Sequence, residues 1–373
     1  MRVLICGGGV IGASIAYYLS RRGVEAVVIE RTGLACAASG KSGGFLALDW
    51  CDGTPLESLA RRSFALHAGL PDAIGGDWGY RRLTTYGGLA GPEGRGLTRR
   101  RSYGVDWLSA SVHLDRRLGS PDTTAQVHPG AFAAAMMRAA EARGAELRLG
   151  RVTGLAGRDK GAMSGVQIDG QVLEGDAVVI AMGPWSIMAA EWLPLPGVFG
   201  LKGHSIVFET GTAVSPDALF LEYPDRDGAV LSPEVFPRRD GTTYVCGVSS
   251  QSALPVDPAD VEPDPGAIER LQAVCSRLSP ELDESRIRAT QACFRPVTQD
   301  GLPLIGGIAG IGGAYVATGH SAWGILNAPA TGEAMAELIV DGAAHTVDLK
   351  PFDPARLPPV VARRNGRLVT GRV

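Results

Sequence analysis

The chain has 373 residues, 45% of them hydrophobic, and a formal net charge of −3 at pH 7. This length favours a large core and two interleaved domains. The small net charge does not indicate the positively charged surface that binds nucleic acid. No segment is long and apolar enough to predict a membrane span. The six cysteines form no CxxC pair and have no metal-ligand spacing with the six histidines, so we expect reduced thiols, no metal site and a cytoplasmic protein.

The first thirty residues, MRVLICGGGVIGASIAYYLSRRGVEAVVIE, predict a strand, a tight turn, a helix and a second strand. Three consecutive glycines would break the helix of a secretory signal, so that interpretation is rejected. Gly7, Gly9 and Gly12 instead form GxGxxG, in which glycines permit the turn, the approach to a pyrophosphate and the packing of helix on strand. Glu30 ends the second strand and can accept hydrogen bonds from an adenosine ribose. This unit predicts a dinucleotide site.

The segment that follows, TGLACAASGKSGGFLALDW, is rich in small residues and suits a backbone that lies close to a ligand. We expect a helix over 55–67 and an irregular region up to about residue 122. A helix over about 130–143 then precedes a strand that runs into Val152. The apolar strand 177–182 ends in a glycine turn, which is typical of a parallel sheet with ligands at the carboxyl ends of its strands.

From about residue 193 to 288 the pattern changes to an alternation of period two with an Asp-Gly turn at 240–241. This predicts antiparallel strands of a second domain, with a helix over about 266–278 packed on them. The last motif is again strand, glycine turn and helix, with Gly324 near the helix start and Gly342 at its end. The positive end of such a helix suits an anion such as a reduced flavin.

As a set, these motifs resemble the D-amino-acid-oxidase superfamily of flavoenzymes, which includes glycine oxidase and sarcosine oxidase. The resemblance runs in family order from residue 1 to about 342 and implies FAD and the family fold. Segments such as SGGFLALDW and PEVFPRRDGTTYVCG resemble most closely a poorly characterised branch seen in fungi and plants. The motifs are GGGVIG with Glu30, AASGKSGG, VHPGAFAAAMMRAAEARGAEL, GDAVVIAMGPWS, CFRPVTQDGLPLIGG and ATGHSAWGILNAPATGEAMAELI.

The predicted fold class is therefore α/β, with a Rossmann-like FAD-binding domain interleaved with an α+β substrate domain built on an antiparallel sheet. The proline- and arginine-rich end of the chain predicts a tail that is on the surface or partly disordered. The expected divisions are 1–50, 123–190 and 294–345 for the FAD-binding domain, 51–122 and 191–293 for the substrate domain, and 346–373 for the tail.

The resemblance implies an extended FAD with its pyrophosphate at the GxGxxG glycines and its ribose at Glu30. Val152 would contact it through the backbone, and the flavin ring would lie between residues 39–45 and 319–325. The predicted cofactor-binding residues are Gly7, Gly9, Val10, Ile11, Gly12, Glu30, Arg31, Ser39, Gly40, Lys41, Ser42, Gly43, Gly44, Phe45, Val152, Gly183, Trp185, Cys293, Gly319, His320, Ser321, Trp323, Gly324 and Ile325.

The chemistry implied is hydride transfer from the carbon that bears an amine to flavin N5, which gives an imine. Arg295 lies where glycine oxidase-like sequences place the arginine that binds the substrate carboxylate. Lys202 and His204 are further candidate catalytic residues, and a glutamate in the pocket would recognise a second amine or a basic side chain. The predicted substrate-binding residues are Arg295, Trp50, Glu222, Tyr223, Glu234 and Tyr244.

Cys293 lies in a segment that resembles the one through which monomeric sarcosine oxidase attaches its flavin. The arginine and lysine that clamp the carboxylate in that enzyme are absent, however, and Leu326 stands where the lysine should fall. Non-covalent FAD is favoured, and a covalent link through Cys293 stays open. Two alternative functions also stay open, a flavin-binding protein of structural or regulatory role and a flavin monooxygenase. The expected partners are a small amine or amino acid and oxygen or another electron acceptor.

Overall fold

The computed structural model describes residues 1–91, 103–159, 162–225 and 228–360. In this part of the chain, strands form four sheets that pack with six α-helices. The strands are β1 (Arg2–Cys6), β2 (Glu25–Glu30), β3 (Phe45–Ala47), β4 (Arg81–Arg82), β5 (Thr85–Ala90), β6 (Val112–Gly119), β7 (Thr124–Gln126), β8 (Glu146–Leu149), β9 (Val152–Asp159), β10 (Ala162–Ile168), β11 (Gln171–Glu174), β12 (Ala177–Ile180), β13 (Val198–Glu209), β14 (Ala218–Pro224), β15 (Val230–Leu231), β16 (Glu234–Pro237), β17 (Thr242–Ser250), β18 (Ile287–Thr298), β19 (Leu304–Gly307) and β20 (Ala314–Thr318). The α-helices are α1 (Val10–Ser20), α2 (Ala38–Lys41), α3 (Glu57–Ile74), α4 (Pro129–Glu141), α5 (Ala267–Leu278) and α6 (Gly324–Asp341). Short 3-10 helices lie at Gly183–Glu191, Pro258–Asp260, Pro280–Leu282, Glu284–Arg286, Ser321–Trp323, Lys350–Phe352 and Pro354–Arg356.

A six-stranded sheet has the order β19-β20-β12-β1-β2-β8. Its strands pair in parallel except at the β19–β20 edge. Val3 and Ile5 of β1 enter the core under the helices, and Leu4 enters a second core on the opposite face of the sheet. Burial on both faces explains why this strand reads as a continuous apolar run. The α1 helix packs against α4 and α6, which completes the α/β layer predicted from the sequence.

A second large sheet is built mainly from antiparallel strands in the order β18-β13-β17-β16-β14-β5-β6, with β15 paired to β14. The predicted Asp-Gly turn joins β16 to β17. There the Arg238 N–H donates to the Thr242 carbonyl at 2.7 Å, and Gly241 adopts a φ of 81°. The α5 helix packs on β13 and β17 and buries Leu271 and Leu278. This sheet contains the antiparallel strands that the sequence predicts over 193–288.

The region expected to be irregular up to residue 122 differs from that prediction. Its described part contains β4, β5 and β6, and the last two extend the antiparallel sheet. Glycines at 87 and 88 allow this, because a Cβ on Gly88 would collide with the His113 carbonyl on β6. The helix expected over 55–67 continues to Ile74, since Pro71 is accommodated inside α3.

The predicted tail also differs in its described part, which reaches residue 360. Phe352 and Val347 are buried against the core that contains α6, and the Arg356 guanidinium donates to both carboxylate oxygens of Asp300 at 2.7 and 3.0 Å. Residues 361–373, on which the rest of that prediction falls, lie outside the described residues. None of the helices in the described ranges is long and apolar enough to cross a membrane.

Candidate active site

A cavity of about 670 Å³ lies where the carboxyl ends of the parallel strands face the antiparallel sheet. One wall follows β1 and β12 into their glycine turns, and the opposite wall is the face of β13, β16, β17 and β18. In open α/β sheets, ligands bind outside the carboxyl ends of the strands. The cavity is therefore the place where the two predicted halves of the site meet.

The glycine turn after β1 is held too tightly for any other residue. Gly7 has a φ of +113°, and a Cβ there would collide with the Ala181 carbonyl; a Cβ on Gly12 would collide with the Gly7 carbonyl. The turn brings the N-terminus of α1 to the cavity, where Val10 and Ile11 line the wall. Backbone N–H groups at a helix N-terminus bind phosphate.

Glu30 stands beside this turn at the end of β2. Its carboxylate accepts the Gly8 N–H at 2.7 Å through one oxygen and the Thr32 N–H at 2.9 Å through the other. The side chain is thereby fixed in the cavity wall, with further lone pairs available for ribose hydroxyls. Its neighbour Arg31 also lines the cavity and donates to Asp257 at 2.7 Å, which ties the loop before the Pro258–Asp260 helix to β2.

The predicted flavin segments approach the cavity from two sides. Ser39 Oγ accepts the Val10 N–H at 2.9 Å, and a Cβ on Gly43 would collide with the Phe236 ring. On the other side, the His320 Nε2 atom is 3.0 Å from Thr331 Oγ1, and burial lowers the His320 pKa to about 3, so the ring is neutral. The remaining lining residues from these segments are Ser42, Ser321, Ala322, Gly324 and Ile325.

The sheet face carries the polar groups of the other wall. Arg295 on β18 reaches across Gly203 of β13 and donates from Nη2 to Ser249 Oγ on β17 at 2.7 Å. Glu234 on β16 accepts the Cys246 thiol at 3.5 Å, and burial raises the pKa of its carboxyl. The buried Tyr244 lies between these strands and the Gly43 turn, so that a cation, a carboxylate and a phenol share this wall of the cavity.

Some predicted cofactor residues support the cavity without lining it. Lys41 Nζ donates to the Ala292 carbonyl at 3.3 Å, and a Cβ on Gly40 or Gly44 would collide with a neighbouring carbonyl. The structure brings Val152, Gly183, Trp185 and Cys293 to the cavity, as the sequence predicts. The predicted cofactor-binding residues that do not line the cavity are Gly12, Gly40, Lys41, Gly44, Phe45, Gly319 and Trp323.

Most of the predicted substrate residues away from Arg295 are placed elsewhere. Glu222 is exposed and lies 3.4 Å from Arg116, whereas Tyr223 is buried in the core beneath α5. Trp50 packs against Phe220 at 4.8 Å between ring centroids, outside the cavity lining. Alternation along β14 does not identify residues of the cavity, because one face of this strand is packed in the core with Tyr223 and the other passes from buried Ala218 to exposed Glu222.

The two predicted catalytic residues on β13 are engaged in a separate network. Lys202 is buried outside the cavity lining, with its Nζ 2.6 Å from Asp264 Oδ1. His204 lines the cavity, but its Nδ1 lies 3.2 Å from the Val248 carbonyl and its Nε2 accepts the Asp264 N–H at 3.1 Å. Both side chains contact the segment around Asp264, and the Lys202 ammonium lies outside the cavity lining.

A family model described as DAO, FAD dependent oxidoreductase, matches residues 2–338. The chain belongs to the DAO family of FAD-dependent oxidoreductases. A Schizosaccharomyces pombe protein that carries only a general oxidoreductase name is 30% identical over 94% of this chain and 97% of its own length. The glycine oxidase of Geobacillus kaustophilus is 26% identical over 95% of this chain and 96% of its own. The structure of glycine oxidase from Bacillus cereus matches with a TM-score of 0.77 and 25% identity, over 92% of this chain and 98% of that one.

The cofactor of this DAO-family chain is FAD, and the predicted fold and family are confirmed. The residues present fit the cofactor, because the turn at Gly7 has room only for glycine and a carboxylate stands at the end of β2. The cavity is long enough to join the glycine turn to the antiparallel sheet face. A dinucleotide that lies extended needs this combination of an anion site and an apolar slot.

Sequence reasoning missed several residues of the sheet face, among them Cys246 and Ser249. Cys246 follows Tyr244 by two positions on β17, so the period-two alternation that indicated Tyr244 also indicated Cys246. Ser249 breaks that alternation. The register between β13 and β17 shifts at His204/Ser205, and beyond the shift Ser249 lines the cavity together with Val248, the residue that strict alternation would select.

Proposed function

We propose that this protein oxidises a small amino acid or a related carboxylate-bearing amine to an imine. FAD, when bound, accepts a hydride from the carbon that bears the amine. The single observation that carries the proposal is the position of Arg295, whose guanidinium is held in the wall of the same cavity as the glycine turn. We also propose the division of the chain into an FAD-binding domain and a substrate domain that is predicted from the sequence.

The proposed FAD site begins at the N-terminus of α1 and ends at the antiparallel sheet. Gly9 and Ile11 would hold the pyrophosphate with backbone N–H groups, beside Gly7 and Val10, whose N–H groups already donate to the Ile29 carbonyl and to Ser39 Oγ. Glu30 would accept hydrogen bonds from the ribose. The first turn of α6 at Gly324 would direct its positive end toward the ring. All of these residues line one continuous cavity, which supports the assignment.

Arg295 would bind the substrate carboxylate. Its planar guanidinium presents several N–H donors, and in the described part of the chain its side chain donates one hydrogen bond, to Ser249. The remaining donors form a fork that suits both oxygens of a carboxylate. Ser249 orients the fork, so the two side chains together fix one end of the substrate and with it the C–H bond to be broken.

The surrounding side chains would exclude water from the reacting carbon. Met182, Trp185, Tyr244 and Ile325 supply apolar surface around the cavity. Exclusion of water strengthens the interaction between Arg295 and a carboxylate, because the local dielectric constant falls. The Cys293 thiol lies in the same wall, and burial raises its pKa, which keeps it protonated and a poor nucleophile. We therefore propose that FAD is held without a covalent bond.

The proposal is tested by substituting Arg295 and following anaerobic flavin reduction by amino acids. Arg295→Ala is expected to raise the apparent dissociation constant of a carboxylate substrate about 100-fold, since a charge-assisted pair of bonds is lost, and to leave FAD content unchanged. Arg295→Lys should recover only part of the affinity. The matched control is Arg288→Ala, because Arg288 lies on the same strand with its side chain exposed. Unchanged substrate affinity in Arg295→Ala would refute the assignment.

A further inference from the structure

We infer that Glu234 binds the α-amine of the substrate whose carboxylate Arg295 binds, and that it accepts a proton from this amine. The inference deepens the proposed function and rests on its assignment of the carboxylate to Arg295. It is carried by the placement of the two side chains, which line one cavity and both reach strand β17.

Contacts with β17 bring the two side chains to neighbouring positions on the sheet face. Arg295 extends from β18 past Gly203 of β13 and donates to Ser249 Oγ at 2.7 Å. Glu234 of β16 is paired with Cys246 and accepts its thiol at 3.5 Å. Ser249 and Cys246 are three residues apart on β17, which corresponds to at most roughly 10 Å of strand. A cation and a carboxylate therefore stand close together along one strand.

An α-amino acid has the dimensions to connect these two groups. Its amine nitrogen and its carboxylate carbon are bonded to the same carbon, about 2.5 Å apart. A hydrogen bond of about 2.8 Å at each end extends this to roughly 8 Å between the guanidinium of Arg295 and the carboxylate of Glu234. The α-carbon is then held from two sides, which orients the C–H bond to be broken.

The Glu234 side chain also has a hydrogen-bonding capacity that the protein leaves largely unused. Among the described residues it accepts one hydrogen bond, from the Cys246 thiol, and a thiol is a weak donor. An ionised carboxylate in a cavity wall is costly without a cation or several N–H donors. An α-ammonium supplies both. A hydroxyl in its place brings no positive charge, so we expect the site to reject 2-hydroxy acids.

Glu234 is suited to take the proton that an α-ammonium must lose before hydride transfer. The N–H bond breaks with its electron pair left on nitrogen, and the proton forms an O–H bond with a Glu234 oxygen. The ammonium becomes a neutral amine, whose lone pair assists departure of the hydride from the α-carbon, and the carboxylate becomes a neutral carboxylic acid. A base within hydrogen-bond reach of the proton is what this step requires.

The charged and titratable groups around Glu234 are compatible with this role. Burial raises the pKa of its carboxyl, which makes it a stronger base, and Arg295 on β18 acts in the opposite direction. On β17, the Cys246 thiol and the Tyr244 phenol face it. Burial raises the pKa of both groups, so they stay neutral and do not compete for the proton.

The binding test compares 2-aminoisobutyrate with 2-hydroxyisobutyrate. These ligands differ only in the amine, and neither can be oxidised, because the α-carbon bears no hydrogen. Binding to the FAD-loaded protein is measured by titration calorimetry and by the shift of the flavin absorption band. We expect the wild type to bind 2-aminoisobutyrate at least about tenfold more tightly. Glu234→Gln should abolish this preference, and Glu209→Gln should retain it, since Glu209 is an exposed glutamate at the far end of β13.

The proton transfer has a separate readout, the pH dependence of anaerobic flavin reduction by an amino acid. In Glu234→Gln we expect reduction at neutral pH to slow about 100-fold. The rate should recover as the pH rises toward the pKa of the free ammonium, because water then removes the proton. A deficit that stays constant over this pH range would overturn the assignment of Glu234 as the proton acceptor.

Equal affinity of the two ligands for the wild type would overturn the inference without any variant, and so would a preference that survives in FAD-loaded Glu234→Gln. Arg295→Ala separates this outcome from a failure of the proposed function. If Arg295 holds the carboxylate, that variant weakens both ligands by similar factors. If Arg295→Ala changes neither affinity while Glu234→Gln still removes the preference, the carboxylate assignment fails and the role of Glu234 stands. If neither ligand binds the wild type, the proposed function and this inference both fail.

Discussion

Gly12 offers the sharpest test of the glycine turn, because the proposed phosphate site depends on the fit between α1 and β1. A Cβ on Gly12 would overlap the Gly7 carbonyl oxygen and lie 3.3 Å from Ile5 Cγ2. The carbonyl belongs to the backbone of the turn, so it cannot rotate away as a flexible side chain would. Relief of the overlap requires the helix to move away from the strand that positions its N-terminus.

The magnitude follows from two opposing effects of Gly12→Ala. Alanine in a helix interior contributes about 1 kcal/mol through helix propensity, whereas overpacking of a close contact costs about 1–3 kcal/mol. We expect a net loss of stability and, because the amide groups of α1 shift, an increase of about 10- to 100-fold in the dissociation constant for FAD, equivalent to about 1.4–2.8 kcal/mol.

The matched control is Gly69→Ala in α3. Gly69 is exposed and helical, and no atom lies near the position that a Cβ would take, so the same propensity gain acts there without the collision. Fluorescence titration of the apoprotein with FAD, together with thermal unfolding, measures both quantities. Gly69→Ala should unfold at a slightly higher temperature and bind FAD normally. If Gly12→Ala behaves in the same way, the reasoning on the turn is refuted.

Two further changes test other parts of the structure. Lys202→Met should destabilise the fold by roughly 2–3 kcal/mol, because it leaves Asp264 without its ammonium partner in a partly buried site. The folded variant should retain anaerobic reduction of the flavin. Loss of flavin reduction with an unchanged unfolding temperature would instead indicate catalysis by Lys202. Lys202 holds the pKa of Asp264 well below its usual range. The stability that this pair contributes is therefore complete above the carboxyl's unfolded-state pKa of about 3.9 and is lost as the pH falls toward the folded-state pKa. Denaturant unfolding at several pH values should show that the difference in unfolding free energy between wild type and Lys202→Met shrinks in acid. Phe352→Ala should cost about 3–5 kcal/mol, since this ring is fully buried beneath α6, and an unchanged unfolding temperature would show that residues 346–360 do not pack on the core.

The parallel half of the fold was predictable because its signals are local. The β1 strand, the glycine turn and α1 are contiguous in the sequence. The motif itself explains why glycine is needed at Gly7 and Gly12, since a Cβ at either position would collide with neighbouring backbone. The same holds for α6, where Gly342 ends the helix with a φ of 81°. Recognition of these units also led to the family and the cofactor, which the comparisons confirm.

The sheet face was harder to predict because its residues meet through pairing between distant strands. Arg295 was identified from its motif, but its partner Ser249 depends on a register shift that no local pattern reveals. Alternation did not distinguish Glu234, which faces the cavity, from Glu222, which faces solvent, since both are glutamates on neighbouring strands. The network around Lys202 and His204 was not predictable from the sequence for the same reason, because Asp264 reaches them from beyond β17.

Amine oxidation by the bound flavin is tested by an anaerobic absorbance spectrum of the FAD-loaded protein, before and after addition of single amino acids and N-methyl amines, followed by acid precipitation. We predict that amino acids with a free carboxylate bleach the oxidised flavin band and that acid releases the flavin into the supernatant. A flavin that stays oxidised with every amine, yet is reduced by light, would contradict the proposed oxidation and favour a binding or regulatory role.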